Sequence, residues 1–315
     1  MSILPDRQQK GIVFNIQKYV LHHGEAMKSF IYLKGCSLAC AWCSDPESQE
    51  LLPQLGYNAS KCLAVDHCSR CRDTCPEGAL SMGEDGKIQV DHDRCTSCFS
   101  CAQLCPTGAL MVYGYEATVS DVIARAEADA VFYLRSGGGL ILSGGEPLFQ
   151  GRFAIALLRE ARKRRINISI ETCGNVSWNI MDQAAQYLNS VYYDLKVMDP
   201  QIHMAATGFD NTLIIENLVR LTQKYPNLPV RVKTPVIPGV NDTKEAIGAI
   251  VDFLDQMPKV TYELVAYHQR GAIKYTYLGR PYPLEGTQAL LNEKFADLQA
   301  FVLEKRKKAV QKIPC

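Results

Sequence analysis

Residues 33–43, Leu-Lys-Gly-Cys-Ser-Leu-Ala-Cys-Ala-Trp-Cys, concentrate three thiols within eight positions: Cys36, Cys40 and Cys43. The run Ser-Phe-Ile-Tyr-Leu at 29–33 predicts a β-strand, so the thiols come directly after a strand end. Three thiolates leave one iron of a 4Fe–4S cube open to a further ligand, whereas four would suit electron transfer or structural zinc. The spacing therefore favours a cluster that acts on a bound molecule.

A zinc knuckle is the alternative explanation of these three cysteines. It would borrow a fourth ligand, and His22 or His23 is the candidate. The chain has thirteen cysteines, and eleven of them fall between Cys36 and Cys105. Residues 1–10 are polar and lack the apolar core of a signal peptide, which predicts a cytoplasmic protein. In that compartment a cysteine cluster indicates metal ligands rather than disulfides.

Length and charge narrow the functional class. A chain of 315 residues can bury the core of one large α/β domain with a smaller insert. Its formal net charge of +1 argues against a dedicated nucleic-acid-binding protein, which normally carries a basic stripe. The sequence contains no apolar run of the roughly 18 residues that a membrane span requires, so no membrane association is expected.

Outside the cysteine-rich stretch, apolar runs alternate with amphipathic segments. The runs are rich in β-branched and aromatic residues and predict strands at 29–33, 140–143, 168–172, 191–196, 230–236 and 262–266. The other segments predict a helix beginning at Ser120 and helices over about 153–165, 178–188, 211–224, 243–256 and 285–305. Alternation implies parallel strands with right-handed crossovers. Six units predict an α/β fold, a partial (β/α)6 TIM-type barrel, with its chemistry at the C-terminal strand ends.

An insert is predicted at residues 51–115. The barrel around it comprises residues 1–50 and 116–315. The insert is rich in Cys, Asp, Gly and Pro, and it is too small to fold around an apolar core alone, so metal is expected to nucleate it. A repeat supports this interpretation, since Cys68-x-x-Cys71-x-x-x-Cys75-Pro recurs 30 residues later as Cys98-x-x-Cys101-x-x-x-Cys105-Pro.

The second copy, together with Cys95, fits the bacterial ferredoxin run C-x2-C-x2-C-x3-C-P. In two-cluster ferredoxins the fourth cysteine of each run binds the other cluster. The predicted ligand sets are therefore Cys62, Cys68, Cys71 and Cys105 for one 4Fe–4S cluster, and Cys75, Cys95, Cys98 and Cys101 for the other. Cys62 precedes Cys68 by six positions instead of three, which leaves His67 or Asp66 as alternatives to it. Two zinc ribbons are the alternative to two clusters.

Two further motifs follow predicted strands. Ser-Gly-Gly-Glu-Pro at 143–147 combines glycines, which permit close backbone approach, with Glu146, whose carboxylate can accept from an ammonium group. Asp194 and Lys196 flank one residue, so their side chains share a face of the strand. The alternative to a ligand site here is a surface ion pair.

Together these motifs resemble the radical S-adenosylmethionine (SAM) enzymes that activate glycyl radical enzymes. The resemblance rests on C-x3-C-x-aromatic-C, on Gly-Gly-Glu-Pro, and on Asp194-Leu-Lys196 extended through Asp199, His203, Thr207, Gly208 and Asn211. It covers nearly the whole chain. It implies SAM on the open iron and reductive cleavage to a 5′-deoxyadenosyl radical, which abstracts hydrogen from a backbone glycine of a partner enzyme.

The resemblance also implies roles for individual residues. Trp42 would lie near the adenine, and Gly144, Gly145 and Glu146 would bind the methionyl amino group. Asp194 and Lys196 would hold the ribose and carboxylate of SAM, and Thr172, next to Glu171, would lie near a monovalent cation shared with Asp194. Arg231 would face the methionyl end, and His268 would lie against SAM.

The resemblance further implies partners and cofactors. We expect three 4Fe–4S clusters with SAM, a glycyl radical enzyme as protein substrate, a flavodoxin or ferredoxin as electron donor, and a monomeric chain. The opening at 14–19 favours the choline trimethylamine-lyase activase among the members that carry such an insert. Alternative functions are a radical SAM enzyme acting on a small molecule and a polyferredoxin electron carrier.

Two segments depart from the family pattern. Residues 23–28 read His-Gly-Glu-Ala-Met-Lys where the family has Asp-Gly-Pro-Gly-Ile-Arg, so Lys28 replaces an arginine and cannot reproduce its bidentate fork. Asp45 replaces the asparagine of Ser-Asn-Pro-Glu-Ser. Because the first segment is thought to face the partner's glycine loop, we expect the partner loop or its docking geometry to differ.

Overall fold

The computed structural model describes residues 5–22 and 26–310, with the side chains of 21, 22 and 308–310 left aside. The predicted zinc alternative through His22 or His23 therefore lies outside the described side chains, as does part of the altered segment at 23–28. Within the described chain, no helix is both long enough and apolar enough to cross a membrane.

The strands run in chain order as β1 (Lys10–His22), β2 (Ala26–Leu33), β3 (Gln54–Tyr57), β4 (Leu80–Met82), β5 (Ile88–Val90), β6 (Leu110–Tyr113), β7 (Tyr115–Thr118), β8 (Gly139–Gly144), β9 (Ile168–Thr172), β10 (Ser190–Asp194), β11 (Val230–Val236) and β12 (Thr261–Ala266). The main sheet has the order β12-β11-β10-β9-β8-β2-β1-β7. Strands β2 and β8 to β12 are parallel neighbours, while β1 pairs antiparallel with both β2 and β7. The predicted six-unit partial barrel is confirmed.

Strand β1 was not predicted, and its geometry explains why. Its register against β2 shifts between Val13 and Asn15 and again between Gln17 and Val20. Tyr19 adopts a positive φ of 59°. Such irregularities interrupt the simple alternation by which a strand is recognised in sequence.

The helices are α1 (Arg70–Asp73), α2 (Ser100–Leu104), α3 (Val119–Glu127), α4 (Ala130–Ser136), α5 (Gly151–Lys163), α6 (Trp178–Ala185), α7 (Pro200–Thr207), α8 (Thr212–Lys224), α9 (Lys244–Leu254), α10 (Ala272–Tyr277) and α11 (Asn292–Val310). Helix α3 begins at Val119, one residue earlier than its predicted start at Ser120, because Thr118 and Asp121 form a capping box. The last helix begins at Asn292 instead of 285, since Gly286 adopts a φ of +76° and the segment before Asn292 is not helical. The helix predicted from Ser120, whose pattern extends to Tyr133, is divided into α3 and α4. The short helices α7 and α10 lack a long amphipathic pattern and were not predicted.

The main core lies between the sheet and the helices α3, α5, α6 and α8. Strand β8 is buried along five consecutive residues, as expected for a parallel strand covered on both sides. On the opposite, inner face of the barrel, Phe30, Ile141 and Tyr192 form a smaller apolar cluster. Lys28 donates to the Tyr192 hydroxyl at 3.0 Å and also lies over that ring.

The segment between β2 and β7 forms two small sheets of its own, β3 with β6 and β4 with β5. Its buried cluster consists of six residues, two of them cysteines: Leu55, Cys71, Leu80, Ile88, Cys101 and Leu110. Four aliphatic side chains bury too little apolar surface to stabilise about sixty residues. Metal binding is therefore needed to hold this segment together.

Candidate active site

A cleft of about 1030 Å³ opens at the C-terminal ends of the barrel strands. Most of the predicted site residues line it: Cys36, Cys40, Trp42, Cys43, Gly144, Gly145, Thr172, Asp194 and Lys196. These residues come from the ends of β2, β8, β9 and β10 or the loops that follow. Motifs separated by up to 160 residues are thus brought into one site by the parallel sheet.

The cysteine loop is fixed by backbone hydrogen bonds from both sides. Gly35 donates to the Ser48 carbonyl at 2.7 Å, and Ala39 donates to the Thr207 carbonyl at 2.8 Å. Thr207 ends α7, whose N-terminus is capped by Asp199. The extended Asp-x-Lys motif therefore braces the loop that carries the three thiols, which accounts for its length.

The three thiols suit a soft-metal cluster by their chemistry and placement. Burial raises the pKa of Cys40 to about 11, whereas a hydrogen bond with Cys173 lowers the pKa of Cys36. A zinc ion would require its ligands to converge to about 2–2.3 Å from one point. Among the described residues, no group of three His, Cys, Asp or Glu side chains converges on a single metal ion.

The glycines at the end of β8 bring bare backbone into the cleft. Gly144 has a φ of +119°, and a Cβ there would lie 2.2 Å from the Leu33 carbonyl oxygen. A Cβ on Gly145 would lie 2.4 Å from the Gly35 carbonyl oxygen. Neither position can hold a side chain without moving the backbone at 33–35, so the turn requires glycine at both positions, and both glycines line the cleft.

Glu146 turns its carboxylate toward the end of β9. Its carboxylate is fully buried and does not line the cleft. One oxygen accepts from the Leu148 amide at 3.0 Å, and the other accepts from the Thr172 hydroxyl at 2.7 Å and the Cys173 amide at 2.8 Å. Its acceptor sites are used inside the protein, where Glu146 anchors the end of β9, and its contact with the methionyl amino group stays a prediction.

Asp194 and Lys196 share the cleft as predicted, and they pair with each other. Lys196 Nζ lies 3.3 Å from Asp194 Oδ2, and only 7% of the lysine side chain is exposed compared with 35% of the aspartate. The pKa of Lys196 is raised. Burial alone would lower it, but the negative charges of Asp194 and Cys40 have the larger combined effect. The lysine thus stays charged beside the cysteine loop, while Asp194 retains an accessible carboxylate.

Lys233 is a cleft residue that the sequence reasoning missed. It lies on the same face of β11 as Arg231 but two residues nearer the C-terminal end. Its ammonium donates to Glu171 at 2.8 Å, and Ser143 donates to the other oxygen of Glu171 at 2.7 Å. Arg231 lies deeper, 3.8 Å from Glu263, and is not among the residues that line the cleft. Strand alternation combined with distance from the strand end would have favoured Lys233.

His268 also lies outside the set of cleft-lining residues. It follows the end of β12 and is exposed. Val265, which precedes it by three residues, is the β12 residue that lines the cleft.

Asp45, the residue that replaces the family asparagine, has a partner that explains the change. Lys274 on α10 donates to Asp45 at 2.6 Å and to Glu47 at 2.7 Å. The Glu47 side chain is only 4% exposed. Burial raises the pKa of Glu47, and the hydrogen bond from Lys274 offsets only part of that increase. The ammonium therefore ties α10 to the loop that follows Cys43.

We expect Lys274→Met to lower the midpoint temperature and to destabilise the chain by about 2–3 kcal/mol, because a buried carboxylate loses its cation. Asp45→Asn added to this variant should recover part of the loss, since it removes the repulsion between two neighbouring carboxylates. Thermal unfolding of the reconstituted variants measures both effects. An unchanged midpoint for Lys274→Met would show that the cation does not hold α10.

The insert contains two cavities, and each is lined by four cysteines. One is lined by Cys62, Cys68, Cys71 and Cys105. The other is lined by Cys75, Cys95, Cys98 and Cys101. These are the two sets predicted from the repeat, and neither His67 nor Asp66 lines the first cavity. The amides of Leu110 and Ala79 donate to Cys105 at 3.4 Å and to Cys75 at 3.3 Å, as amides do to cluster thiolates.

Known proteins match this chain along almost its whole length. A family model described as 4Fe-4S dicluster domain matches residues 57–109, and one described as Radical SAM superfamily matches residues 92–254. The isethionate sulfite-lyase activating enzyme of Desulfovibrio desulfuricans is 48% identical over 280 residues, covering 89% of this chain and 90% of that protein. The (2S)-3-sulfopropanediol sulfolyase activating enzyme of Bilophila wadsworthia is 48% identical over 284 residues, covering 90% and 94%. The choline trimethylamine-lyase activating enzyme of Oleidesulfovibrio alaskensis is 35% identical over 298 residues, covering 93% and 94%.

Proposed function

Because this chain belongs to the radical SAM enzymes that activate glycyl radical enzymes, we propose that its partner is a lyase that releases sulfite from a small sulfonate. The enzyme cleaves SAM to methionine and a 5′-deoxyadenosyl radical, which abstracts hydrogen from a backbone glycine of the partner. When bound, the 4Fe–4S cluster of the barrel supplies the electron that breaks the carbon–sulfur bond of SAM.

The residues of the cleft support specific roles in this reaction. Cys36, Cys40 and Cys43 hold the barrel cluster, and the backbone of Gly144 and Gly145 receives the methionyl amino group. Asp194 has the accessible carboxylate suited to the ribose hydroxyls, and Lys196 remains charged where the SAM carboxylate would be bound. Thr172 and Trp42 line the same cleft, whereas Glu146 acts as a positioning residue.

Lys233 enters the proposal in place of Arg231. The resemblance places a monovalent cation between the end of β9 and Asp194, but an ammonium group already lies against Glu171. The pKa of Lys233 is raised. Burial alone would lower it, but the negative charges of Asp194 and Glu171 have the larger combined effect. We therefore assign the positive charge at this edge of the cleft to Lys233, without a separate cation.

The insert supports electron supply. We assign two further 4Fe–4S clusters to the two four-cysteine cavities, which makes three clusters in the chain. A flavodoxin or ferredoxin would supply the electron. Such cysteine usage suits the reducing cytoplasm, and a monomer leaves the open side of the barrel free for the partner's glycine loop.

The observation that carries the choice of partner is the similarity to relatives. Identity is 48% to the activating enzymes of isethionate sulfite-lyase and sulfopropanediol sulfolyase, against 35% to that of choline trimethylamine-lyase. The sulfonate lyases are thus favoured over the choline enzyme that the N-terminal opening had suggested. Lys28 donates to Tyr192 on the inner face of the barrel. It is the residue that would contact a partner loop of different sequence.

Incubation with SAM, dithionite and purified lyases tests this proposal. We expect a glycyl radical signal in electron paramagnetic resonance (EPR) spectra with isethionate sulfite-lyase or sulfopropanediol sulfolyase, and little or none with choline trimethylamine-lyase. Reactions without SAM serve as the control. A signal confined to choline trimethylamine-lyase would overturn the assignment of the partner while leaving SAM cleavage intact.

A further inference from the structure

The two cysteine cavities of the insert lie at different distances from the barrel. The direction of strand β3 indicates which of them is nearer. At its start, the Gln54 side chain accepts from Lys34 at 3.1 Å, and Lys34 is two residues from Cys36. Leu55 lines the cavity of Cys75, Cys95, Cys98 and Cys101, whereas Tyr57 lines the cavity of Cys62, Cys68, Cys71 and Cys105. Because a strand rises by about 3.3 Å per residue, Tyr57 lies about 6–7 Å farther than Leu55 along β3 from the end that contacts Lys34. We call these the inner and the outer cavity.

The partner strand β6 follows the same direction. Tyr113 pairs with Gln54, and Leu110 pairs with Tyr57. Leu110 lines the outer cavity. Gly114, the residue after Tyr113, packs against Lys34, since a Cβ there would lie 2.4 Å from Lys34 Cδ, which places this end of β6 beside the barrel.

A second set of contacts connects the inner cavity with the barrel cysteines. Cys95 donates its amide to the Asp91 carbonyl at 3.1 Å, and the neighbouring His92 ring packs against Gly279, where a Cβ would lie 2.3 Å from it. The next residue, Arg280, donates to the Tyr275 carbonyl at 2.9 Å. Tyr275 is buried on α10, and the neighbouring Lys274 donates to Asp45, two residues after Cys43, at 2.6 Å. Packed protein thus runs from Cys43 to Cys95.

The outer cavity is bordered by exposed apolar side chains. Leu63 and Leu104 line it and are 52% and 48% exposed. Arg70 lines the same cavity and is exposed. A cluster held there would lie behind a surface that another protein can contact, on the side of the insert away from β3's attachment to the barrel.

We infer that the insert sets one order of electron transfer: a cluster held by the cysteines of the outer cavity would accept the electron from the carrier protein, and a cluster held by those of the inner cavity would pass it to the cluster held by the three barrel cysteines. This inference rests on the two ligand sets proposed above. One electron moves at each step, so that the carrier is oxidised by one electron for each SAM carbon–sulfur bond that breaks. Because Cys98 of the inner cavity is exposed, direct delivery to that cavity is the competing arrangement.

The repeat supplies a matched pair of variants. Cys68→Ala and Cys98→Ala change equivalent positions in the two copies, one for each cavity. With reduced flavodoxin, Cys98→Ala should still show an EPR signal from a reduced insert cluster, with SAM cleavage lost or at least tenfold slower. Cys68→Ala should show neither a newly reduced insert cluster nor SAM cleavage. Iron analysis establishes that each variant has lost one cluster only.

Two outcomes would overturn the order. One is flavodoxin-driven SAM cleavage that survives Cys68→Ala but not Cys98→Ala. The other outcome comes from the microwave power at which the EPR signal of the barrel cluster saturates. A second paramagnetic cluster nearby makes that signal harder to saturate, so the measurement reports the distance between the two clusters. Removal of the inner cluster should make that signal saturate more easily, whereas removal of the outer one should change it little. Equal or reversed effects would contradict the geometry.

A pair of surface variants avoids any loss of cluster ligands. Leu104→Glu places a charge on the rim of the outer cavity, and Met82→Glu places one on β4, at a residue that is 55% exposed and lines neither cavity. We expect Leu104→Glu to slow flavodoxin-driven reduction of the insert at least severalfold and Met82→Glu to leave it unchanged. Equal rates for both variants would contradict entry at the outer cavity. Dithionite-driven SAM cleavage should be normal in both, and its loss would instead count against the proposed function.

Discussion

We expect Cys40→Ala to abolish SAM cleavage even with dithionite as the reductant. Cys40 is one of three thiols that line the cleft, and Cys173, the nearest additional thiol, is engaged with Glu146 at 3.2 Å. Without the third thiolate the barrel cluster is not retained, so the loss should exceed the roughly 100-fold that removal of an outer-shell partner causes. Methionine and 5′-deoxyadenosine, quantified by chromatography, measure it.

The control for this experiment is a cysteine of the insert. Cys98→Ala should retain dithionite-driven cleavage, because a small reductant can reach the barrel cluster directly through the open cleft. Iron content should fall by one cluster in each variant. If Cys40→Ala still cleaved SAM at a comparable rate, the chemistry would have to lie elsewhere than at the three thiols of the barrel.

Glu146→Ala should be the most destabilising single change in the site. It leaves the Thr172 hydroxyl and the amides of Leu148 and Cys173 without their buried acceptor. With about 1–3 kcal/mol for each unsatisfied group, a total loss of about 3–5 kcal/mol is expected. Because a chain that holds clusters does not unfold in two states, the measured quantity is the shift of the unfolding midpoint in urea.

An exposed glutamate provides the comparison. Glu116 pairs with Lys10 on the surface, and Glu116→Ala should leave the midpoint unchanged. Glu146→Gln should fall between the wild type and Glu146→Ala, since the amide keeps one acceptor. If Glu146→Ala lost SAM affinity with no loss of stability, the carboxylate would bind the ligand directly, as first predicted from the sequence.

The sequence predicted the barrel strands well because parallel strands are buried on both faces and appear as continuous apolar runs. It also divided the insert cysteines correctly between two cavities as far as their lining goes, because the repeat fixes which residues are equivalent. Those features are local or periodic, and local patterns are what a single sequence records.

The features that the sequence did not predict are side-chain directions and registers that depend on neighbouring strands. Glu146 follows two glycines, and only the packing of the Leu33–Gly35 backbone against them turns its carboxylate toward β9. Lys233 and Arg231 share a face, and their heights in the barrel are set by the register of β11 against β10. Strand β1 escaped prediction because its two register shifts are accommodated by β2, which follows later in the chain.

The pairing of β3 with β6 has a consequence for how such a chain arises. Gln54 and Tyr113 face each other, so the insert leaves the barrel and returns to it at neighbouring points. A segment whose ends meet in this way behaves as a cassette, since it can be acquired or discarded without altering the path of the strands on either side. Electron supply and hydrogen abstraction can therefore evolve as separate modules, joined through Lys34, His92 and the few residues that they touch.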